Sequence, residues 1–321
     1  MVPNYWYVIL ESDEVPRRAP VGVVRFGQRW VLWRRPDGAV ACVQDQCAHR
    51  GAALSGGRVV DGHVECPFHG FRFDETGQCV MVPALGREAR VPDHIRGRAL
   101  PICEVDGYLW AWWGPDPAGP APAHFFETLD SSWRYGAFRD PWAVHYTRSV
   151  ENQLDVVHLP FVHGTTIGRG NKTVVEGPRA ELDGDDLKVW VHNRVDDGSA
   201  PTDPPASGRW QVMFRFPNTW INDISDKVKV TAAFVPVDDE HSVVYLRFYQ
   251  RVLTVPGISA LFCWVGKLAS VVILRQDKRV VETQEPRRSW LRMGEHLIRG
   301  DLPVILYRKR RHALLGGADE G

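Results

Sequence analysis

The sequence has no excess of charge of either sign. Lys and Arg together number 39, as do Asp and Glu, so the formal net charge is zero. A strongly basic chain would indicate nucleic acid or an anionic membrane surface as a partner. The even balance argues against both, and we expect neither nucleic acid nor membrane as a partner. The short basic run at 308–311 is typical of a solvated tail.

From the sequence we also expect neither a secretory leader nor a disulfide framework. Residues 1–6 have neither a basic region nor an apolar core. Six cysteines are present, without the spacing of a small disulfide-linked domain. These features predict a reducing, cytoplasmic environment.

Two redox motifs are missing as well. No G-x-G-x-x-G unit follows a predicted strand, and no plant-type ferredoxin spacing of cysteines occurs. The chain therefore has no recognisable site of its own for a pyridine nucleotide.

One long apolar run could be mistaken for a membrane span. Residues 252–274 contain Lys267 as their only charge, but Pro256 and Gly257 interrupt the run. The large apolar residues that follow have the spacing of one helical face. They are Ile258, Leu261, Phe262, Val265, Leu268 and Val272. The pattern predicts a buried amphipathic helix in a soluble protein.

The most distinctive stretch is residues 47–69. Cys47 and His49 form C-x-H, Cys66 and His69 form C-x-x-H, and sixteen residues separate His49 from Cys66. A structural zinc ion can take two Cys and two His, but C-x-H is too short for an ordinary finger. A [2Fe-2S] cluster with thiolates on one iron and imidazoles on the other needs one of each from both loops. The stretch therefore resembles a Rieske centre.

The residues around this stretch predict short strands joined by turns. Apolar or alternating runs occur at 6–10, 22–26 and 30–33. Such an antiparallel β domain, with ligands at the tips of two hairpins, resembles a Rieske domain over residues 4–115. Residues 115–122 are rich in Pro and Gly and have the composition of a linker. We predict two domains, 1–118 and 119–321.

A second cluster of candidate ligands begins at Glu151. Glu151, Asp155 and His158 have the i, i+4, i+7 spacing that places three residues on one helical face. Pro160 disfavours helix at the residue before it, so the chain is expected to bend and return His163 towards His158. Two His with one carboxylate suit a mononuclear non-haem iron. Taken alone, the pattern also fits a surface helix with incidental histidines.

The carboxylate of such a site should come from elsewhere in the sequence. Asp277 is the first candidate, because it lies near the end of the predicted apolar helix, and Glu282 is the second.

Together the two motifs resemble the oxygenase (alpha) component of Rieske non-haem iron oxygenases. Glu151, Asp155, His158 and His163 match E-x3-D-x2-H-x4-H, and Asp277 falls where the family has its carboxylate ligand. The resemblance implies an α+β protein, in which a helix-grip (START-like) catalytic domain follows the Rieske domain. It also implies a Rieske [2Fe-2S] cluster and a mononuclear Fe(II).

The sequence between the ligands is compatible with the sheet of such a domain. Strand-like runs occur at 187–191, 210–216, 228–235 and 242–249. Inward-facing residues of these strands should line the substrate pocket. The candidate substrate contacts are Phe214, Trp220, Asn222, Phe234 and Phe248.

The family implies an enzyme that uses O2 and takes electrons from NAD(P)H. Since the nucleotide motif is missing, the electrons must come from a separate reductase, with or without a ferredoxin. The chain resembles the homotrimeric monooxygenase and demethylase branch, which predicts hydroxylation or oxidative demethylation of a small cyclic substrate, an alkaloid or an aromatic compound. The alternatives are a cis-dihydroxylating arene dioxygenase and a Rieske electron-transfer protein without oxygen chemistry.

In the family, electrons pass between neighbouring subunits of the trimer. The resemblance assigns Asp155 to this path, between the cluster ligand His69 of one subunit and the iron ligand His158 of the next.

Overall fold

The computed structural model describes residues 1–203 and 208–317. The chain divides into two compact units, one formed by residues 3–126 and the other by residues 127–321 with the first two residues. The domain boundary predicted after residue 118 stays a prediction.

The N-terminal unit is a small antiparallel β structure. Its sheets have the strand orders β1-β10-β9, β2-β3-β4 and β5-β6-β7-β8. The strands are β1 Tyr5–Glu11, β2 Val21–Arg25, β3 Gln28–Arg34, β4 Val40–Gln44, β5 Arg58–Val60, β6 His63–Glu65, β7 Arg72–Phe73, β8 Cys79–Met81, β9 Ile102–Val105 and β10 Tyr108–Trp113. Short 3-10 turns occupy Ser12–Glu14, Leu54–Gly56 and Pro83–Leu85. The predicted strands at 6–10, 22–26 and 30–33 correspond to β1, β2 and β3.

In its described residues, the C-terminal unit contains a seven-stranded antiparallel sheet and four helices. The sheet has the order β11-β19-β18-β17-β16-β14-β13, and β12 pairs with β15. The elements are β11 Arg134–Trp142, α1 Tyr146–Leu154, α2 Leu159–Val162, β12 Val174–Val175, β13 Arg179–Asp183, β14 Asp186–Trp190, β15 Asn193–Arg194, β16 Val212–Arg215, β17 Thr219–Ser225, β18 Val228–Pro236, β19 Ser242–Gln250, α3 Pro256–Val281 and α4 Leu302–Leu314, with a 3-10 turn at Arg299–Asp301. The four predicted strands correspond to β14, β16, β18 and β19, and the predicted α+β class is confirmed.

The helices cover the sheet at different places. Helix α1 contacts β18 and β19, α3 contacts β11 and β19, and α4 contacts β13 and β14. The sheet and these helices enclose the core of the unit.

Helix α3 exists as predicted, but the prediction of which face is buried is wrong. Ile258, Leu261, Val265, Leu268 and Val272 are between 42% and 60% exposed. The buried face is instead made mainly of small residues in the first part of the helix and of larger ones near its end. Its members are Ser259, Cys263, Ser270, Leu274, Asp277 and Val281.

The small residues allow α3 to lie very close to the sheet. A Cβ atom added to Gly136 of β11 would stand 2.6 Å from the carbonyl oxygen of Cys263. A Cβ atom at Gly266 would collide with the ring of Phe248 in β19. Bulky side chains would prevent this approach, so they lie on the outer face. Helix α3 is long and apolar enough to cross a membrane, but core helices of soluble proteins can have the same length and composition.

The basic run 308–311 is also placed differently from the prediction. It lies within α4, and Arg308 and Arg311 are each 4% exposed. The prediction of a solvated tail is therefore wrong, because buried carboxylates, described below, pair with part of this run.

Candidate metal centres

The four residues of the C-x-H and C-x-x-H motifs lie together in the N-terminal unit. Cys47 and Cys66 are buried, at 3% and 2% exposure, whereas His49 and His69 are exposed. The two imidazole rings lie 4.8 Å apart between centroids, edge to face. The ring of Phe71 stacks on His49 at 4.6 Å. The site thus has a thiol side that faces the core and an imidazole side that faces solvent.

The two ligand loops close in the same way. The backbone N–H of Gly51 donates to the carbonyl of Cys47 at 2.8 Å, and that of Gly70 donates to the carbonyl of Cys66 at 3.0 Å. Both glycines have positive φ, 75° and 72°, which residues with a Cβ rarely adopt. The glycine in each motif therefore allows the turn that presents Cys and His on one side of its loop.

The donor set fits a cluster that carries positive metal ions. Burial, and then the neighbouring Cys66 thiol, raise the pKa of Cys47 to about 11. Two adjacent buried sulfurs become thiolates readily only when cations lie beside them. Two thiolates inside and two imidazoles outside match the division of ligands between the two irons of a Rieske centre.

In the C-terminal unit, His158, His163 and Asp277 converge. One ligand atom from each lies within 4.8 Å of the others. The Oδ1 atom of Asp277 is 3.0 Å from Nε2 of His163 and 3.5 Å from Nε2 of His158. Asp277 is 2% exposed, and its Oδ1 makes no hydrogen bond within the described part of the chain. A buried carboxylate oxygen that faces two imidazole nitrogens fits a metal cation.

Neighbouring side chains orient these candidate ligands. Gln276 Oε1 lies 2.9 Å from Nδ1 of His163, so it can accept a hydrogen bond from Nδ1–H and leave the Nε2 lone pair directed towards Asp277. Gln153 of α1 donates from Nε2 to the other carboxylate oxygen of Asp277 at 3.2 Å. Neither glutamine was predicted from the sequence, where the only signals are that Gln276 directly precedes Asp277 and that Gln153 lies two residues before Asp155.

The prediction that Glu151, Asp155 and His158 share one face of a helix is wrong. Helix α1 ends at Leu154, and the N–H of Asp155 makes its last hydrogen bond, to Glu151. The Oδ1 atom of Asp155 then accepts from the backbone N–H of Val157 at 2.6 Å. This side-chain turn replaces the next helical turn.

The bend at Pro160 also differs from the prediction. Leu159 begins the short helix α2, with Pro160 as its second residue, where no helical hydrogen bond is lost. His158 and His163 therefore flank α2 at its two ends. The carboxylate of Asp155 lies 3.6 Å from Nδ1 of His158, which is longer than a hydrogen bond.

Glu151 lies away from the candidate ligands and holds α1 to α4. Its two carboxylate oxygens accept from Nε and Nη2 of Arg308 at 2.7 and 2.8 Å. Arg148 contacts both Glu151 and Glu295, at 3.2 and 3.0 Å. The runner-up carboxylate, Glu282, accepts from the backbone N–H of Ala143 at 2.8 Å and is not part of the candidate metal group.

A cavity of about 380 Å³ lies beside His158, His163 and Asp277. This volume is within the range of roughly 300–1,000 Å³ typical of small-molecule sites. Its walls come from α1, α2, α3 and the inner face of the sheet, and most of the lining is apolar. The apolar members are Val156, Leu159, Ile167, Val191, Val212, Trp220, Ile224, Val230, Leu246, Ile273 and Leu274.

Two of the five predicted substrate contacts, Trp220 and Asn222, line this cavity. Among the described residues its lining does not include Phe214, Phe234 or Phe248. The ring of Phe214 lies 5.3 Å from that of Tyr307 in α4 and 6.5 Å from that of Phe234. Phe248 packs against Phe262 in α3, at 6.1 Å.

Known proteins match both units. Residues 5–98 match the Rieske [2Fe-2S] domain, and residues 142–316 match the vanillate O-demethylase oxygenase C-terminal domain. The aminopyrrolnitrin oxygenase PrnD of Pseudomonas fluorescens is 37% identical over 170 residues, which are 50% of this chain and 46% of the relative. The oxygenase component of dicamba O-demethylase from Stenotrophomonas maltophilia is 38% identical over 165 residues, 50% of this chain and 48% of the relative. The alignments thus span less than half the length of these relatives.

Solved structures match over nearly the whole chain. Dicamba monooxygenase bound to dicamba has a TM-score of 0.76 at 22% identity and covers 99% of both chains. NdmA of Pseudomonas putida CBB5 with caffeine has a TM-score of 0.80 at 20% identity, with 96% of this chain and 90% of that chain covered. At these identities the likeness establishes the fold.

Proposed function

Because the chain belongs to the Rieske oxygenases with a C-terminal domain of the vanillate O-demethylase oxygenase type, we propose that it is a monooxygenase. It would hydroxylate or oxidatively demethylate a small cyclic organic compound. The observation that carries the proposal is the cavity of about 380 Å³ that opens directly onto His158, His163 and Asp277. An electron-transfer protein would need neither the cavity nor these three residues.

The family's cofactors are a Rieske [2Fe-2S] cluster and a mononuclear iron. We assign the cluster to Cys47, His49, Cys66 and His69, and the mononuclear iron to His158, His163 and Asp277. When bound, the iron supplies O2 activation, and the cluster supplies electrons one at a time. The net reaction converts a C–H bond, O2, two electrons and two protons into C–OH and water. When the hydroxylated carbon is an O- or N-methyl group, the product releases formaldehyde.

The chain's own residues would hold the substrate and exclude water. Trp220 donates from its indole N–H to the backbone carbonyl of Gln153 at 3.1 Å, so its ring is fixed as one wall of the cavity. Leu246 and Val230 form the floor on the sheet. Such rigid apolar walls can place a ring close to the candidate ligands.

The electrons would come from NAD(P)H through a separate reductase. We further propose a cytoplasmic homotrimer in which Asp155 couples the cluster of one subunit to the iron site of its neighbour. Residues His69 and Asp155 would then meet across the interface, which is heterologous and closes after three copies.

Iron content and product formation test the proposal together. Anaerobic reconstitution should give about three irons per chain, two in the cluster and one mononuclear. Turnover with a purified reductase over methoxyarenes, N-methyl compounds and alkaloids should yield hydroxylated or demethylated products that depend on O2. Two irons per chain and no product from any compound would favour the electron-transfer alternative.

A further inference from the structure

Most polar groups that line the cavity are already bonded within the protein. Gln153 donates to Asp277 at 3.2 Å, and Ser270 donates to a backbone carbonyl of its own helix at 2.9 Å. Gln211 accepts the backbone N–H of Val191 through Oε1 at 2.8 Å. These side chains support the cavity wall, and a ligand would have to compete with the protein for them.

Asn222 is the exception. In the parts of the chain that the structure describes, its side-chain amide makes no hydrogen bond, although it lies half-buried in the cavity wall. Its cross-strand neighbours are Val212 on β16 and Val230 on β18, so it is a single polar position in an apolar row. Asn is disfavoured in strands, and a ligand that displaces water from this half-buried amide has to replace the lost hydrogen bonds. The arrangement suits a ligand that completes the hydrogen bonds of the amide.

Apart from the candidate metal ligands, the lining of the same cavity offers no cationic side chain to an anion among the described residues. Among the described residues, its lining contains no Lys or Arg. The nearby cations Lys229 and Arg209 both pair with Asp223. Asp223 follows Asn222 in the strand, so its side chain points to the opposite face of the sheet from the cavity. The charged groups of the lining are the carboxylates Asp155 and Asp277, which equal in number the two charges of a divalent iron. An anionic substrate would therefore lose its hydration without gaining a Lys or Arg partner.

We propose that the cavity selects an uncharged ring compound that presents an amide-like edge, with a carbonyl acceptor and an N–H donor, to the side chain of Asn222. The mouth of the cavity agrees with this class. Ile167 and Ile224 line it and are 57% and 56% exposed, so a ligand enters past apolar side chains. The inference rests on the proposed function, for which it names the substrate class.

Calorimetric titration can test the class without turnover. The iron-loaded protein is titrated anaerobically, without reductase, with 4-methoxybenzamide, 4-methoxybenzoate and anisole. All three probes contain a methoxybenzene ring. They differ at the para position, which carries an amide, a carboxylate or only hydrogen. We expect the amide to bind at least about tenfold more tightly than the carboxylate, because one satisfied hydrogen bond and an avoided charge burial both favour it.

Substitutions of residues in the cavity wall identify the side chain that recognises the amide group of 4-methoxybenzamide. Asn222→Leu should weaken binding of the benzamide by about tenfold and leave anisole nearly unchanged. Asn222→Lys should reverse the preference in favour of the benzoate. The neighbouring Val212→Leu is the control: it changes the shape of the same row and should affect all three probes alike.

Equal binding of amide and carboxylate by the unmodified chain would overturn the inference. So would an unchanged preference in Asn222→Leu, or failure of all three probes to bind. A retained amide preference without any oxidised product would instead count against the proposed reaction alone, since binding is measured without electrons or O2.

Discussion

Replacing Arg308 with Met should destabilise the C-terminal unit far more than the same replacement at Arg310, two residues along the same helix. Arg308 is 4% exposed and forms paired hydrogen bonds to Glu151 at 2.7 and 2.8 Å, with a further contact to Glu295 at 2.7 Å. Removing one partner of a buried ion pair costs about 3–5 kcal/mol, because the remaining charge stays buried. We expect the lower end, about 3 kcal/mol, since Arg148 still contacts both carboxylates.

The control replaces an ion pair that is open to water. Arg310 contacts Asp185 at 2.8 Å, and the two side chains are 29% and 39% exposed. Pairs of this kind contribute at most about 1 kcal/mol. For a unit of this size, about 3 kcal/mol lowers the melting temperature by about 6–12 °C, and 1 kcal/mol by about 2–4 °C.

Thermal unfolding of the two variants, followed by circular dichroism, measures this difference. The double variant Glu151→Gln with Arg308→Met should lose clearly less than the sum of the two single losses, because the residues share one interaction. Equal shifts for Arg308→Met and Arg310→Met, with additive losses in the double variant, would refute the claim that this network holds α1 against α4.

Three further predictions concern the ligands and the acid limit. His158→Ala should lose the mononuclear iron by metal analysis and retain the visible spectrum of the cluster, because the two ligand sets lie in different units; loss of both signals would contradict the assignment. Cys66→Ser should bleach the cluster spectrum, since a hydroxyl is a poor ligand for ferric iron, and an unchanged spectrum would exclude Cys66 as a ligand. Burial alone would raise the pKa of Glu295, but Arg308 and Arg148 outweigh it and lower the pKa below 4.5. The contribution of Glu295 to stability is therefore complete above about pH 4.5 and is lost as pH falls further. Glu295→Gln should make the free energy of unfolding fall less steeply below about pH 4.5, and an unchanged pH dependence would contradict this.

The cluster site could be predicted from the sequence because its information is local. Each ligand pair lies within a few residues, and the glycine that closes each turn is part of the same motif. The folded chain adds only that the two loops meet, with Cys47 inside and His49 outside.

The candidate iron site was predicted less completely, because side chains far apart in sequence decide its details. The helix was expected to continue to His158, yet the carboxylate of Asp155 takes the hydrogen bond that would have extended it. Glu151 belongs to the same sequence motif but pairs with Arg308, which is 157 residues away. The spacing of residues 151–163 carries no information about that partner.

The pocket shows the same limit. Phe214, Phe234 and Phe248 were taken from predicted strands, whereas Trp220 and Asn222 lie on β17, outside the predicted runs. A place in a strand did not suffice, because position along the sheet depends on which helix covers each row. Phe214 is the direct cross-strand partner of Trp220, yet Phe214 lies beneath α4 while Trp220 borders the cavity. Alternation along a strand identifies a face, and only the order of strands and helices identifies the place on it.

The narrow spacing between α3 and the sheet means that the iron site can be adjusted from outside itself. Asp277 is on the same helical face as Cys263, and it follows Gly266 by eleven residues, about 16 Å along the axis. A single methyl group at Gly266 would require either the ring of Phe248 or α3 to shift, and a shift of α3 would move the helix that carries Asp277. Side-chain volume at a position outside the candidate ligands is thereby coupled to the placement of Asp277 opposite His158 and His163.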